Sequence, residues 1–212
     1  MAWKLQNAQE TSKKFPYTYY APSLEIIRKL KVGDYAKLEF LSDSFFSKQK
    51  SEKMWVEIKE INEDMYVGEL NNEPQLIKKL KMGQKINFNA QHIIKTEIDE
   101  SSSSLHETYT NSYCIVSNDV FKRNEFNFLL KDNSEEENDT GLIVFSGYES
   151  DEYNDNADNF HVVALGTILN IDDSILSFIE SAPVLSAYER NRDGTFEQVH
   201  DYVWSEDWTQ DK

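Results

Sequence analysis

The chain has 212 residues, room for one large domain or two modest ones. Its 22 Lys+Arg against 38 Asp+Glu give a formal net charge of −16, which excludes a phosphate-tracking nucleic-acid binder and a surface that docks on anionic lipid. With 39% hydrophobic and 13% aromatic residues it has the means to bury a core, so wholesale disorder is excluded as well.

Residues 1–14 are polar and patternless, lack the apolar segment of a secretory signal, and read as a flexible tail. No apolar run anywhere reaches the roughly 18 residues of a membrane span, so the expected location is the cytoplasm. Residues 23–30 predict a short helix, with Ser23 as N-cap, Leu24, Ile27 and Leu30 on one face, and Gly33 as the stop. Residues 35–41 suit a strand. In 54–61 the residues Met54, Val56 and Ile58 alternate with Trp55, Glu57 and Lys59, and the turn 62–64 leads into 65–70 as a hairpin. Residues 74–80 predict a helix with Pro74 near its first turn, and 85–94 another alternating strand. No internal repeat with a period of 20–50 residues stands out. These elements make an α+β unit over 15–97, a curved antiparallel sheet with two short helices.

The charge changes character near residue 99. Residues 1–98 hold 16 basic and 13 acidic side chains, a net of +3, whereas residues 99–212 hold 6 and 25, a net of −19. The changeover falls in a Ser-rich stretch, so 98–109 reads as a linker between two units.

The second unit, 110–204, begins with a buried strand at 112–117, where the single cysteine, Cys114, is a small hydrophobe that makes no intramolecular disulfide. Asn118 or Asp119 is positioned to cap a helix running to about 131, followed by a charged loop at 134–139 and a strand at 142–145. An acidic loop spans 151–159, a strand 161–165, and a helix 174–181 behind Asp172 and Asp173. A hairpin of 183–188 with 195–199 closes through 191–194, and 205–212 form an acidic tail. The expected fold class is therefore α+β, two small units, each a mostly antiparallel sheet with short packed helices.

Two sets of motifs carry resemblances. The run Glu52-Lys-Met-Trp-Val56, then Gly68-Glu-Leu-Asn-Asn-Glu-Pro74, then Leu80-Lys-Met-Gly83 ahead of a strand resembles the bacterial family DUF2314 over about 30–95; where that family ends in an acidic-tryptophan pattern, Gln91-His92-Ile-Ile stands here. The second half resembles DUF2185, the Imm33 group of bacterial immunity proteins. Its stations run in order: Cys114-Ile-Val-Ser117, Gly141-Leu-Ile-Val-Phe-Ser-Gly147, Asp151-Glu-Tyr153, Asn159, Thr167-Ile-Leu-Asn170, Asp173-Ser-Ile175, Ser181-Ala-Pro183 and Ala187-Tyr-Glu-Arg190. Leu142 replaces a tryptophan common in that group. The resemblance implies an immunity protein of a polymorphic toxin system, which binds a cognate toxin and blocks it.

The residues offer little catalytic chemistry. His92, His106, His161 and His200 are scattered without metal spacing, and no nucleophile elbow or phosphate loop occurs. Ser146 reads as a strand-end hydroxyl, the 151–159 cluster misses the calcium-loop register, and Glu189-Arg190 reads as an exposed ion pair. No catalytic residue, cofactor or metal is expected. The leading reading is a non-catalytic binder of a basic protein toxin. Its candidate contacts are Glu135, Glu136, Glu137, Asp151, Glu152, Asp155 and Asp158, with Tyr148, Tyr153 and Trp204 as aromatic anchors. Two alternatives stay open: an enzyme of unrecognised type with a carboxylate-lined pocket, and a housekeeping or DNA-mimic interaction module.

Overall fold

The computed structural model describes residues 3–42, 51–98, 102–134 and 136–204. The chain divides into two compact units, Met1–His106 and Glu107–Lys212. The first holds β1 (Trp3–Leu5), α1 (Ala8–Lys14), α2 (Leu24–Ile27), β2 (Tyr35–Ser42), β3 (Ser51–Asn62), β4 (Met65–Leu70), β5 (Lys85–Asn89), a 3-10 turn (Ala90–His92) and β6 (Ile93–Thr96); α3 (Ser102–Asn111) spans the division.

Strands β1 to β5 pair in that order, all antiparallel. The free edge of β2 is shared, with β6 along Ala36–Leu38 and β1 along Phe40–Ser42. Only the 3-10 turn separates β5 from β6, so the sheet curls until its last strand returns to β2. The alternation read in 54–61 decides what goes inside. Met54, Val56 and Ile58 join Leu38, Phe40, Tyr66, Leu70, Ile86 and Phe88 in one core, with Tyr66 stacked on Phe88 at 5.3 Å. Trp55 takes the outer face, half-buried, with the Lys37 ammonium 5.4 Å from its ring. Its backbone is clamped at both poles: the Trp55 N–H donates to the Asn72 side chain at 2.6 Å and its carbonyl accepts from the Asn71 N–H at 2.8 Å. The Asn-Asn pair of the family motif thus ties its turn to β3.

Four expectations for this half need correction. Residues 3–14 hold a strand and a helix where a flexible tail over 1–14 was expected. Trp3 packs edge-on against Phe40 at 5.4 Å, Asn7 caps α1 by accepting the Glu10 N–H at 3.1 Å, and Ala8 is fully buried. Residues 74–80 are not helical. The Glu52 carboxylate accepts the N–H groups of Gln75, Leu76 and Ile77 at 2.7–3.2 Å, and Ile77 and Leu80 anchor the loop in the core, which leaves too few residues to nucleate a helix. The division between the units falls within 98–109, where the linker was expected, but from Ser102 the chain is helical, α3 forming in a stretch free of Gly and Pro.

The fourth correction is an internal repeat at an offset of 50: Ile27-Arg-Lys-Leu-Lys-Val-Gly-Asp34 and Ile77-Lys-Lys-Leu-Lys-Met-Gly-Gln84. The two copies share a structure. Ile27, Leu30, Ile77 and Leu80 are buried, while Val32 (61% exposed) and Met82 (59%) stand out. Gly33 and Gly83 have φ of 96° and 80°, a left-handed turn that a side chain resists. The Asp34 and Gln84 side chains accept the Lys31 and Lys81 N–H groups at 2.8 and 3.2 Å. Each copy feeds a strand, β2 or β5, and its glycine N–H clamps a central strand, at the Ile58 or the Leu70 carbonyl.

The second unit holds β7 (Tyr113–Ser117), α4 (Asn118–Arg123), β8 (Phe128–Lys131), β9 (Asp139–Phe145), α5 (Asp151–Asn154), a 3-10 turn (Ala157–Asn159), β10 (Phe160–Ala164), α6 (Leu165–Leu169), α7 (Leu176–Ser181), β11 (Ser186–Arg190) and β12 (Phe196–Val199). Its sheet runs β10-β7-β9-β8-β11-β12, and β7–β9 is parallel within an otherwise antiparallel set. The helix expected to reach 131 stops at Asn124, whose φ of 56° is the left-handed stop that asparagine tolerates, and the chain then becomes β8. Leu129 pairs with both Val144 and Tyr188, so tertiary pairing overrides the helical periodicity. The acidic stretch 151–159, expected as a loop, is α5 and a 3-10 turn, capped by the Ser150 hydroxyl and the Asn156 amide oxygen. Cys114 is fully buried, and burial, with Asp139 as the lesser cause, pushes its thiol up to about 12. The expected acidic tail, 205–212, lies outside the described residues. Fold class is as expected: both units are α+β.

Candidate functional site

Because β7 and β9 run parallel, Ser117 and Ser146 reach the same rim of the second sheet. A polar network fixes this rim. The Ser117 hydroxyl accepts the Asp119 N–H at 3.1 Å, and the Ser146 hydroxyl donates to Asp119 at 2.8 Å. Arg123 donates to the same carboxylate at 2.5 Å and lays its guanidinium 4.3 Å from the Tyr148 ring. Hydrogen bonds from Arg123 first, then Ser146, hold Asp119 below the usual carboxylate range. Ser117 and Ser146 are fully buried, so Ser146 is a strand-end hydroxyl committed to Asp119.

Glu149 folds back to accept the N–H groups of Ser146, Gly147 and Tyr148 at 2.8, 2.9 and 3.1 Å. Burial alone raises its pKa, but hydrogen bonds from Ser117, from the Ser146 and Glu149 amides and from the Ser146 side chain outweigh it and leave the carboxyl below 4.5. A depressed carboxylate stabilises the fold fully above its ordinary value and loses that contribution as pH falls through the lower folded value. Glu149→Gln is therefore expected to cost about 1 kcal/mol at pH 7, discounted for solvent screening. The gap to the natural protein should narrow below pH 4.5, as urea midpoints taken across that range will read.

Beside the rim lies a cleft of about 490 Å³. Phe128, Phe145 and Tyr202 form its apolar side; Phe128 meets Phe145 edge-on at 5.8 Å and Tyr202 at 5.6 Å. Glu149, Asp151 and Glu189 bring carboxylates to its wall. Arg190 also borders the cleft, but each of its three guanidinium nitrogens already donates within the fold. It donates to Asp172 at 2.5 Å, to the Gly194 carbonyl at 2.8 Å and to the Phe126 carbonyl at 3.2 Å, and lies 4.3 Å from the Phe196 ring. The expected Glu189–Arg190 pair is thus not formed. Neighbours in a strand face opposite ways, and Arg190 pairs with Asp172 while Glu189 stays exposed.

The residues singled out in sequence fall into separate groups. Glu135 lies outside the described residues. Glu136 and Glu137 precede β9, at the far end of that strand, about 20 Å from the rim. There Glu136 accepts the Tyr113 hydroxyl at 3.0 Å and borders a second hollow of about 220 Å³ with Ile115, Ile143 and Val162. Tyr148 and Asp151 line the main cleft, whereas Glu152, Asp155 and Asp158 are exposed on α5 and the turn after it. Tyr153 turns inward against Phe160 at 6.3 Å, with the Lys122 ammonium 5.9 Å from its ring, and Trp204 packs on Tyr202 at 5.1 Å. Sequence reasoning missed Phe128, Phe145 and Tyr202 as cleft residues and read Glu189 only through its neighbour. Period-two alternation within 186–190 carries the signal that separates Glu189 from Arg190.

Comparison with known families accords with both resemblances. Residues 114–200 match the immunity protein Imm33 domain, and residues 1–115 match DUF2314, described as an uncharacterized protein conserved in bacteria. No curated protein and no solved structure matches the chain. The DUF2314 match covers more than half of the 212 residues, so the chain belongs to the DUF2314 family, with the Imm33 match following it in the chain.

Proposed function

We propose that this is a cytoplasmic immunity protein that binds a cognate protein toxin and blocks it stoichiometrically, without catalysis. The observation that carries the reading is the coincidence of the Imm33 match with the charge. Residues 107–212 hold 6 basic and 23 acidic side chains, a net of −17, against +1 for residues 1–106. A field of that sign speeds encounter with a basic partner. Toxins that grip nucleic acid need a basic surface, so an acidic inhibitor competes for the surface their substrate uses. The commitment of Ser146, Asp119 and Glu149 to internal hydrogen bonds favours a binding surface over an acid–base site.

The test is co-expression with the toxin gene next to its own, followed by titration of the purified pair. Neutralisation should be complete at one equivalent. Affinity should fall about tenfold between 50 and 200 mM salt, with most of the loss in the association rate. The combined change Asp151→Asn, Glu152→Gln, Asp155→Asn and Asp158→Asn should flatten that salt dependence. Neutralisation at a small fraction of an equivalent would instead reveal turnover and favour an enzyme.

A further inference from the structure

We propose that the aromatic–carboxylate cleft of the second unit receives an arginine side chain of the toxin, an inference that rests on the immunity reading and names its recognition chemistry. The residues are set by strand register. β12, β11, β8 and β9 lie side by side, and one row across them reads Glu197, Glu189, Phe128, Phe145. Paired positions share a face, so two carboxylates stand at one end of a row whose other end is aromatic, with Glu189 lining the cleft and Glu197 next to it on the neighbouring strand. Tyr202 adds a third ring against Phe128, and Asp151 adds another carboxylate to the cleft lining.

The Glu189–Glu197 pair is the telling feature. Like charges directly opposite on adjacent strands are destabilising. Here neither carboxylate makes an ion pair or side-chain hydrogen bond among the described residues. Arg190, the next residue along β11, faces Asp172. The repulsion is left for an incoming group to relieve. A planar guanidinium fits both halves of the site: it stacks on ring faces and donates in a fork to carboxylates, whereas a lysine ammonium offers a point charge.

The probe is tetra-arginine amide, titrated into the full chain and followed through the ring signals of Phe128, Phe145 and Tyr202 by NMR. Saturable shifts in those rings are expected, stronger than with tetra-lysine amide. Glu189→Gln with Glu197→Gln should weaken binding at least tenfold and abolish the ring shifts. The pair Asp155→Asn with Asp158→Asn removes the same charge outside the cleft and should change affinity less than twofold. Equal losses in the two double variants, or shifts spread over the acidic surface, would overturn the proposal, because net charge alone would then explain binding. Glu189→Gln should also raise the Tm of the free protein by about 1–2 °C through relief of the like-charge pair, and a lowered Tm would count against it. The toxin titration separates this inference from its premise. If the cleft variant neutralises toxin as well as the natural protein does, the arginine site falls while the immunity reading stands. If tetra-arginine seats in the cleft but no toxin is blocked, the premise fails instead.

Discussion

Gly68→Ala is expected to destabilise the first unit by about 3 kcal/mol, and Gly68→Val to unfold it. Gly68 sits in β4 opposite Ile58, beside the irregularity between Ile58 and Glu60 in the β3–β4 ladder. A methyl group there would lie 2.4 Å from Val56 Cγ1 and 2.5 Å from the Glu57 carbonyl oxygen. The valine methyl has no room to retreat, since Val56 is fully buried, and the carbonyl is backbone in the central hairpin. Relief requires β3 and β4 to part, which breaks ladder bonds on both sides. For a unit of this size the Tm should drop by about 10 °C or more. Hydrogen exchange should show lost protection across β3, β4 and β5, read against the β7 amides as an internal reference. A change below 1 kcal/mol would mean that the close approach is not maintained in solution.

Arg190 carries the second large effect. Arg190→Lys is expected to cost about 2 kcal/mol and Arg190→Met about 3 kcal/mol, both measured from urea midpoints. Lysine keeps the charge beside Asp172 but loses the fork that also reaches the Phe126 and Gly194 carbonyls, and the plane that lies on Phe196. Methionine keeps an apolar stem but strands the Asp172 carboxylate. Burial raises the Asp172 pKa, yet hydrogen bonds from Ser174 and then Arg190 outweigh it and hold the group below 3.8. Its stabilisation is therefore complete above that value and lost as pH falls through the lower folded one, so the Arg190→Met deficit should shrink in acid. A double-mutant cycle with Asp172→Asn should show a coupling of about 1–2 kcal/mol.

What the sequence made legible follows from how local each signal is. In β3 the identity of each residue decides its face, so 54–61 could be read residue by residue. The α4 boundary depended on one residue, Asn124, whose left-handed turn no periodicity reports. Residues 74–80 looked helical because the group that claims their N–H donors, Glu52, lies more than 20 positions away in sequence. The repeat at offset 50 was concealed by its conservative exchanges, Arg28 for Lys78 and Val32 for Met82, within a segment too short to announce itself. At the site, acidity was visible but partnership was not. Asp151 and Tyr148 were within reach of sequence reasoning, whereas the meeting of Glu189 with Glu197 and Phe128 requires the β8–β11–β12 register. Where two strands align is settled by packing, and neither strand states it alone.

The parallel pairing of β7 with β9 divides the labour of the second unit's sequence. Both strands finish at one rim, so the segments that follow them, 118–127 and 146–159, shape one border of the cleft. Replacing the exposed side chains there, such as Tyr148, Asp151 and Asn154, changes what the cleft presents, while Cys114, Val116 and Val144 below keep the ladder and core intact. Border and ladder are thus written in different stretches of chain, so what the cleft presents can be altered without rewriting the strand pairing beneath it.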